Sequence, residues 1–136
     1  MQTPTNSTWA DYQAPRFRIL YVGSDLDFLS ALRKAAGRPE HHVVGCPDRD
    51  SAIVFLKSDI GYHLVLFDIE MRDTAALELA ELTRSLTHRE EIPIVIVANE
   101  VTGSLEERAR SAGADECITK TEDVSVAIER IGRRLR

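Results

Sequence analysis

The sequence predicts an α/β fold, a parallel sheet with helices on both faces. Two observations carry this. Strand-like segments begin near residues 19, 42, 64, 93 and 115, and each leads into a helical apolar pattern. Two of them, Leu64-Val65-Leu66-Phe67 and Ile94-Val95-Ile96-Val97, are short, unbroken apolar runs of the kind found in strands buried on both faces. A length of 136 residues suits one domain with one core and leaves no room for two.

The elements follow in order. Residues 1–16 are polar and turn-rich, with Pro4 and Pro15 and no periodicity, and read as a flexible leader in which Trp9 and Tyr12 are the aromatic residues. Residues 17–136 are the domain. Arg18 to Val22 is the first strand. Leu26, Phe28, Leu29 and Leu32 recur at helical spacing behind it, and Gly37 closes that helix. His42 to Cys46 is a second, shorter strand, and Asp48 is the N-cap of a second helix carrying Ala52, Ile53, Phe55 and Leu56. The third strand, Leu64 to Asp68, leads through a loop to a helix with Leu77, Leu79, Ala80 and Leu82. Pro93 starts the fourth strand, and Ser104-Leu105-Glu106-Glu107 matches a capping box opening the next helix. Gly113-Ala114-Asp115 turns into the fifth strand, and Val124, Ala127, Ile128, Ile131 and Leu135 mark the last helix.

Bulk properties exclude several classes of function. Seventeen basic and 22 acidic residues give a net charge of −5, which argues against general binding to nucleic acid or anionic membrane. No apolar run approaches the ~20 residues of a membrane span, and no signal peptide is recognisable, so a cytoplasmic protein is expected. Cys46 and Cys117 make neither a disulfide framework nor a metal knuckle. His41 and His42 are adjacent, so a strand turns them to opposite faces, and His63 and His88 have no partner at ligand spacing. There is no Gly-x-Gly-x-x-Gly, Walker or Gly-x-Ser-x-Gly motif. The basic tail from Arg130 to Arg136 suits the C-terminus of a helix, where cations oppose the dipole.

Two charged residues stand out. Asp68 ends the third strand and Lys120 follows the fifth, and open α/β sheets place their sites outside these carboxyl ends. On position alone Asp68 also reads as a helix N-cap or turn acid.

In Leu64-Val65-Leu66-Phe67-Asp68-Ile69-Glu70-Met71 and Gly113-Ala114-Asp115-Glu116-Cys117-Ile118-Thr119-Lys120, in that order over about 120 residues, the chain resembles a response-regulator receiver domain of two-component signalling. The resemblance implies a flavodoxin-like (βα)5 three-layer sandwich, with a parallel five-stranded sheet of order 2-1-3-4-5. It makes Asp68 the phosphoacceptor and Lys120 its phosphoryl and carboxylate partner. It also implies magnesium held by an acidic pair after the first strand, a phosphoryl-binding hydroxyl after the fourth, and a switch aromatic on the fifth. The magnesium and the lysine neutralise charge on the phosphoryl oxygens in transit.

The supporting positions depart from this pattern. The acidic pair falls on Gly23 and Ser24, the hydroxyl on Ala98, the aromatic on Cys117, and the proline after the lysine on Thr121. The loop reads Met71-Arg72-Asp73-Thr74-Ala75-Ala76 and lacks the family's Met-Pro and downstream Gly. A magnesium site rebuilt from Asp25, Glu70 and Asp68 is the alternative these neighbours leave open. Their competing readings are a helix-start acid for Asp25 and a solvated side chain for Glu70. Lys120 can serve as one half of a structural ion pair with Asp68.

The expectation is therefore a receiver-like signalling module with a degraded metal and phosphorylation site. It would be no enzyme beyond self-phosphotransfer, and would act through protein–protein interaction on the face made by the fourth helix, fifth strand and fifth helix. Expected partners are a sensor histidine kinase or other signalling proteins, or a second copy. The alternatives are a conventional phosphoacceptor using Asp68 with magnesium, and a small haloacid-dehalogenase-like phosphohydrolase using Asp68 and Glu70.

Overall fold

The computed structural model describes residues 17–36, 41–71 and 75–134. Strand and helix alternate throughout: β1 (Phe17–Val22), α1 (Leu26–Ala36), β2 (His41–Cys46), α2 (Arg49–Lys57), β3 (Leu64–Asp68), α3 (Ala76–Ser85), β4 (Ile94–Ala98), α4 (Gly103–Ser111), β5 (Glu116–Thr119) and α5 (Val124–Arg134). A 3-10 turn, Thr87–Arg89, precedes β4. All strand pairs are parallel, in the order β2-β1-β3-β4-β5. This is the expected flavodoxin-like sandwich. The leader, the Gly37 helix stop and Leu135 lie outside the described residues.

Alternation along the strands divides the core in two. Leu20, Val22, Val65, Phe67, Ile94 and Ile96 pack against α2, α3 and α4. Ile19, Tyr21, Leu64, Leu66, Val95 and Val97 pack against α1 and α5. β3 and β4 are buried over their whole length, as their unbroken apolar runs require. Each fully buried Leu or Ile contributes about 1.5–3 kcal/mol, so the central strands anchor the domain. By contrast α2 and α4 each bury two residues, Ala52 and Leu56 in the first and Leu105 and Ala109 in the second.

Helix starts follow the local chemistry, with one correction. Asp48 caps α2, its carboxylate accepting from the Ser51 N–H at 2.8 Å. The expected capping box at Ser104 does not form. Thr102 is the cap of α4: its extended backbone and its Oγ1, which accepts from the Leu105 N–H at 3.1 Å, put Ser104 inside the first turn. β2 is also longer than expected, starting at His41 and matching β1 in length, because Phe17 pairs with His41 in register.

Two arginines fasten loops that the sequence left unassigned. Arg84 donates to the carbonyls of Gly113, Glu90 and Ile92 and to Asp115 Oδ2, and Asp115 in turn accepts from the Ile94 N–H. Its stem lies over Gly113, whose φ of +98° is the left-handed turn that closes α4. Arg89 is buried. It donates to the carbonyls of Phe55, Leu56 and Ser58 at the end of α2, where the helix dipole favours a cation, and lies over the Tyr62 ring. Cys46 and Cys117 lie on opposite edge strands and are free thiols. No helix among the described residues is long and apolar enough to cross a membrane.

Candidate functional site

The carboxyl ends of β1, β3, β4 and β5 meet around Asp68. The register pairs Asp68 with Val97 and Ala98 with Thr119, so the residues just past β3, β4 and β5 share one edge. The Lys120 N–H donates to the Ala98 carbonyl at 2.9 Å, which turns its side chain back over that edge. Lys120 Nζ then lies 2.9 Å from both Asp68 Oδ2 and Asp25 Oδ2. Asp25 reaches it from the start of α1, where its other oxygen accepts from the Phe28 N–H at 3.0 Å. Asp25 thus stands at the start of α1, and Lys120 is paired with both carboxylates.

Asp68 is almost wholly enclosed, at 1% exposure. Oδ1 accepts from the Glu70 N–H at 2.9 Å. Oδ2 accepts from Lys120 and, at 2.5 Å, from the Tyr21 hydroxyl. Three of the carboxylate's four lone-pair positions are therefore filled from within the protein. Burial together with the hydrogen bond to Asp68 pushes the Tyr21 phenol well above its ordinary range, so it stays a neutral donor. The Phe28 N–H and then Lys120 hold the Asp25 carboxyl below the usual range. Burial pulls Lys120 down, but its bonds to Asp68 and Asp25 outweigh this and the net shift is upward.

Tyr21 was not singled out in the sequence, where it reads as one more strand residue. A signal was present. Gly23 follows directly on the end of β1, two residues past Tyr21. A Cβ on Gly23 would stand 2.5 Å from the Tyr21 hydroxyl oxygen and 2.6 Å from Asp68 Cβ. Gly23 thus leaves room for the tip of Tyr21, and the phenol occupies space that an acidic side chain at position 23 would need.

The other candidate residues divide. Ser24 is exposed, and Thr121 is exposed with its hydroxyl 3.1 Å from that of Thr119. Ala98 is buried and brings no side-chain donor. Cys117 is half-buried against the core on the α4 side, and burial pushes its thiol up. Glu70 is exposed but engaged: its Oε2 accepts from the Asn99 N–H at 2.8 Å, which corrects the reading of a freely solvated side chain. Magnesium requires several oxygens around one point. Here an ammonium stands between Asp25 and Asp68, and Glu70 is committed to Asn99. Among the described residues no three His, Cys, Asp or Glu side chains are arranged to hold a metal ion, so the three carboxylates do not fit one as they stand. Arg130 is not merely opposing a helix dipole: it pairs with Glu116 and, at 2.9 Å, with Glu122, tying α5 to β5.

No family model and no curated protein matches the sequence. Solved structures do match in fold. A CheY-like response regulator receiver domain protein from Methanospirillum hungatei has a TM-score of 0.76 at 24% identity, over 88% of this chain and 93% of that one. A response regulator from Thermotoga maritima has a TM-score of 0.74 at 21% identity, over 90% and 98%. An orphan response regulator of H. pylori has a TM-score of 0.75 at 18% identity, over 91% and 100%. The fold of this chain is that of the receiver domains.

Proposed function

We propose that the chain is a receiver-type signalling module that binds a protein partner without being phosphorylated, with Asp68 as a structural carboxylate. The observation that carries this reading is that both oxygens of Asp68 are already engaged from within the protein. Attack on a phosphoryl group needs an unencumbered carboxylate oxygen and neutralisation of the charge on the group being transferred. Oδ2 is held by Tyr21 and Lys120, Oδ1 by the Glu70 N–H, and Lys120 is also shared with Asp25. Ala98 offers no hydroxyl for a phosphoryl oxygen, and Gly23 has no space for a metal-binding acid beside Tyr21.

The partner face is then the surface of α4, β5 and α5. Half-exposed Val126, the Arg130 pairs with Glu116 and Glu122, and a shallow cavity of about 230 Å³ lined by Glu106, Arg110 and Cys117 belong to it. The occupant on this reading is a signalling protein, a sensor histidine kinase or other component, or a second copy of the chain. The protein turns over no substrate and needs no magnesium.

Intact mass after incubation with acetyl phosphate and magnesium, beside an Asp68→Ala control, tests this. The expected result is an unmodified protein. A gain of one phosphoryl group that the control lacks would overturn the reading in favour of a conventional phosphoacceptor.

A further inference from the structure

A cavity of about 400 Å³ opens at the end of the sheet remote from Asp68, where the chain enters β3 and β4. Tyr62 and Ile92, both buried, give it apolar surface, and Thr87, Glu90 and Glu91 stand exposed around it. The start of the domain is fastened to the same place through His63, which also lines the cavity. The Phe17 ring stacks on the His63 ring with centroids 5.7 Å apart. The Arg18 N–H donates to His63 Nδ1 at 3.0 Å, and the Arg18 carbonyl accepts from the His63 N–H at 2.8 Å.

Residues 1–16 therefore join the domain at the edge of this cavity. They include Trp9, the only tryptophan of the chain, eight residues before Phe17. A segment of that length reaches at most about 26–29 Å, ample for a turn back to the cavity. An indole is a large apolar body with a single N–H donor. The cavity offers buried apolar side chains and, in Glu90 and Glu91, two carboxylates with no partner among the described residues.

We propose that this cavity is the seat of the chain's own Trp9: the segment before Phe17 turns back under the sheet and lays the indole against Tyr62 and Ile92, with its N–H toward the carboxylates of Glu90 and Glu91. The inference goes beyond the docking reading, because the seat lies at the opposite end of the sheet from Asp68 and works whether or not that residue is modified.

The test reads Trp9 directly, by fluorescence and nuclear Overhauser effects in the full chain, for wild type and Thr87→Phe, which puts a phenyl ring into the cavity from an exposed position. In wild type the emission is shifted to the blue of that in urea. Acrylamide quenching is roughly threefold weaker than in urea, as for an indole with most of its surface covered. Overhauser effects join the indole to the Ile92 methyls. In Thr87→Phe, with an unchanged far-UV spectrum, emission and quenching return to the values in urea. A solvent-exposed Trp9 in wild type, or no Overhauser effect to Ile92, would overturn the proposal even if Thr87→Phe fails to fold. So would protection that survives Thr87→Phe, or protection seen only at concentrations where light scattering finds a dimer, which would make the occupant a second copy. An Asp68 adduct in the mass experiment would instead sink the docking reading and leave this result standing.

Discussion

The Tyr21 hydroxyl donates to Asp68 Oδ2 across 2.5 Å, joining two residues 47 apart in sequence on neighbouring strands of the sheet. A neutral phenol thereby does part of the work of a cation. It stabilises a buried carboxylate without adding charge, and leaves Lys120 free to serve Asp25 as well.

Removing only that hydroxyl measures its worth. Tyr21→Phe keeps the ring and its contact with Phe28 but leaves Asp68 short of a donor. Stability in urea should fall by about 1.5–3 kcal/mol, the range for hydrogen bonds to charged groups. An unchanged midpoint would mean that the bond contributes nothing.

Gly23→Ala should destabilise by about 1–3 kcal/mol through overpacking against Tyr21 and Asp68. Adding Tyr21→Val should recover part of this loss, because the clash with the phenol disappears while that with Asp68 Cβ remains. Thermal melts of the two single variants and the double variant test the coupling, and strict additivity would contradict it.

Lys120→Met should be the most damaging change in the site. It leaves Asp68 enclosed and facing Asp25 with no cation between them. The expected loss is about 3 kcal/mol, at the low end for breaking a buried pair because Asp25 remains a third exposed. Asp68→Asn in the same background should return stability. If it makes matters worse, repulsion is not the cause.

Stability should be level from about pH 7 to 8 and fall on both sides: burial holds His63 down, so the acid limb opens below about pH 6.5, and burial holds Cys46 and Cys117 up, so the alkaline limb opens near pH 9. The folded-state values of Tyr21 and Lys120 lie above their unfolded ones, so their contributions are complete below about pH 10 and are lost as pH rises beyond it. Asp25 is shifted down, so its contribution is present above about pH 4 and lost as pH falls. Tyr21→Phe should flatten the alkaline limb by up to one proton, about 1.4 kcal/mol per pH unit, as read from urea titrations between pH 8 and 11.

Much of this arrangement could be read from the chain. The apolar runs of β3 and β4 have a single reading, and they put Asp68 and the residues after β4 at one edge of the sheet. Lys120 followed because β5 delivers it to the same edge. Tyr21 escaped notice because strand alternation says which face a side chain takes but not where the tip of a long one ends. Thr102 and Ser104 are both hydroxyl residues at a helix start, and only the backbone angles at Thr102 distinguish them. The link from Lys120 to Asp25 spans 95 residues, beyond any local pattern.

That span has a consequence for the order in which the molecule is made. Closing a contact over 95 residues costs about 4 kcal/mol in chain entropy, beyond a constant, if nothing else has formed. The bridge cannot start folding; it forms when β1, β3, β4 and β5 are already side by side. A nascent chain stopped before β5 would present Asp25 and Asp68 without their cation and could not close this edge. Lys120 therefore records the completion of the sheet, and its loss should speed unfolding far more than it slows folding.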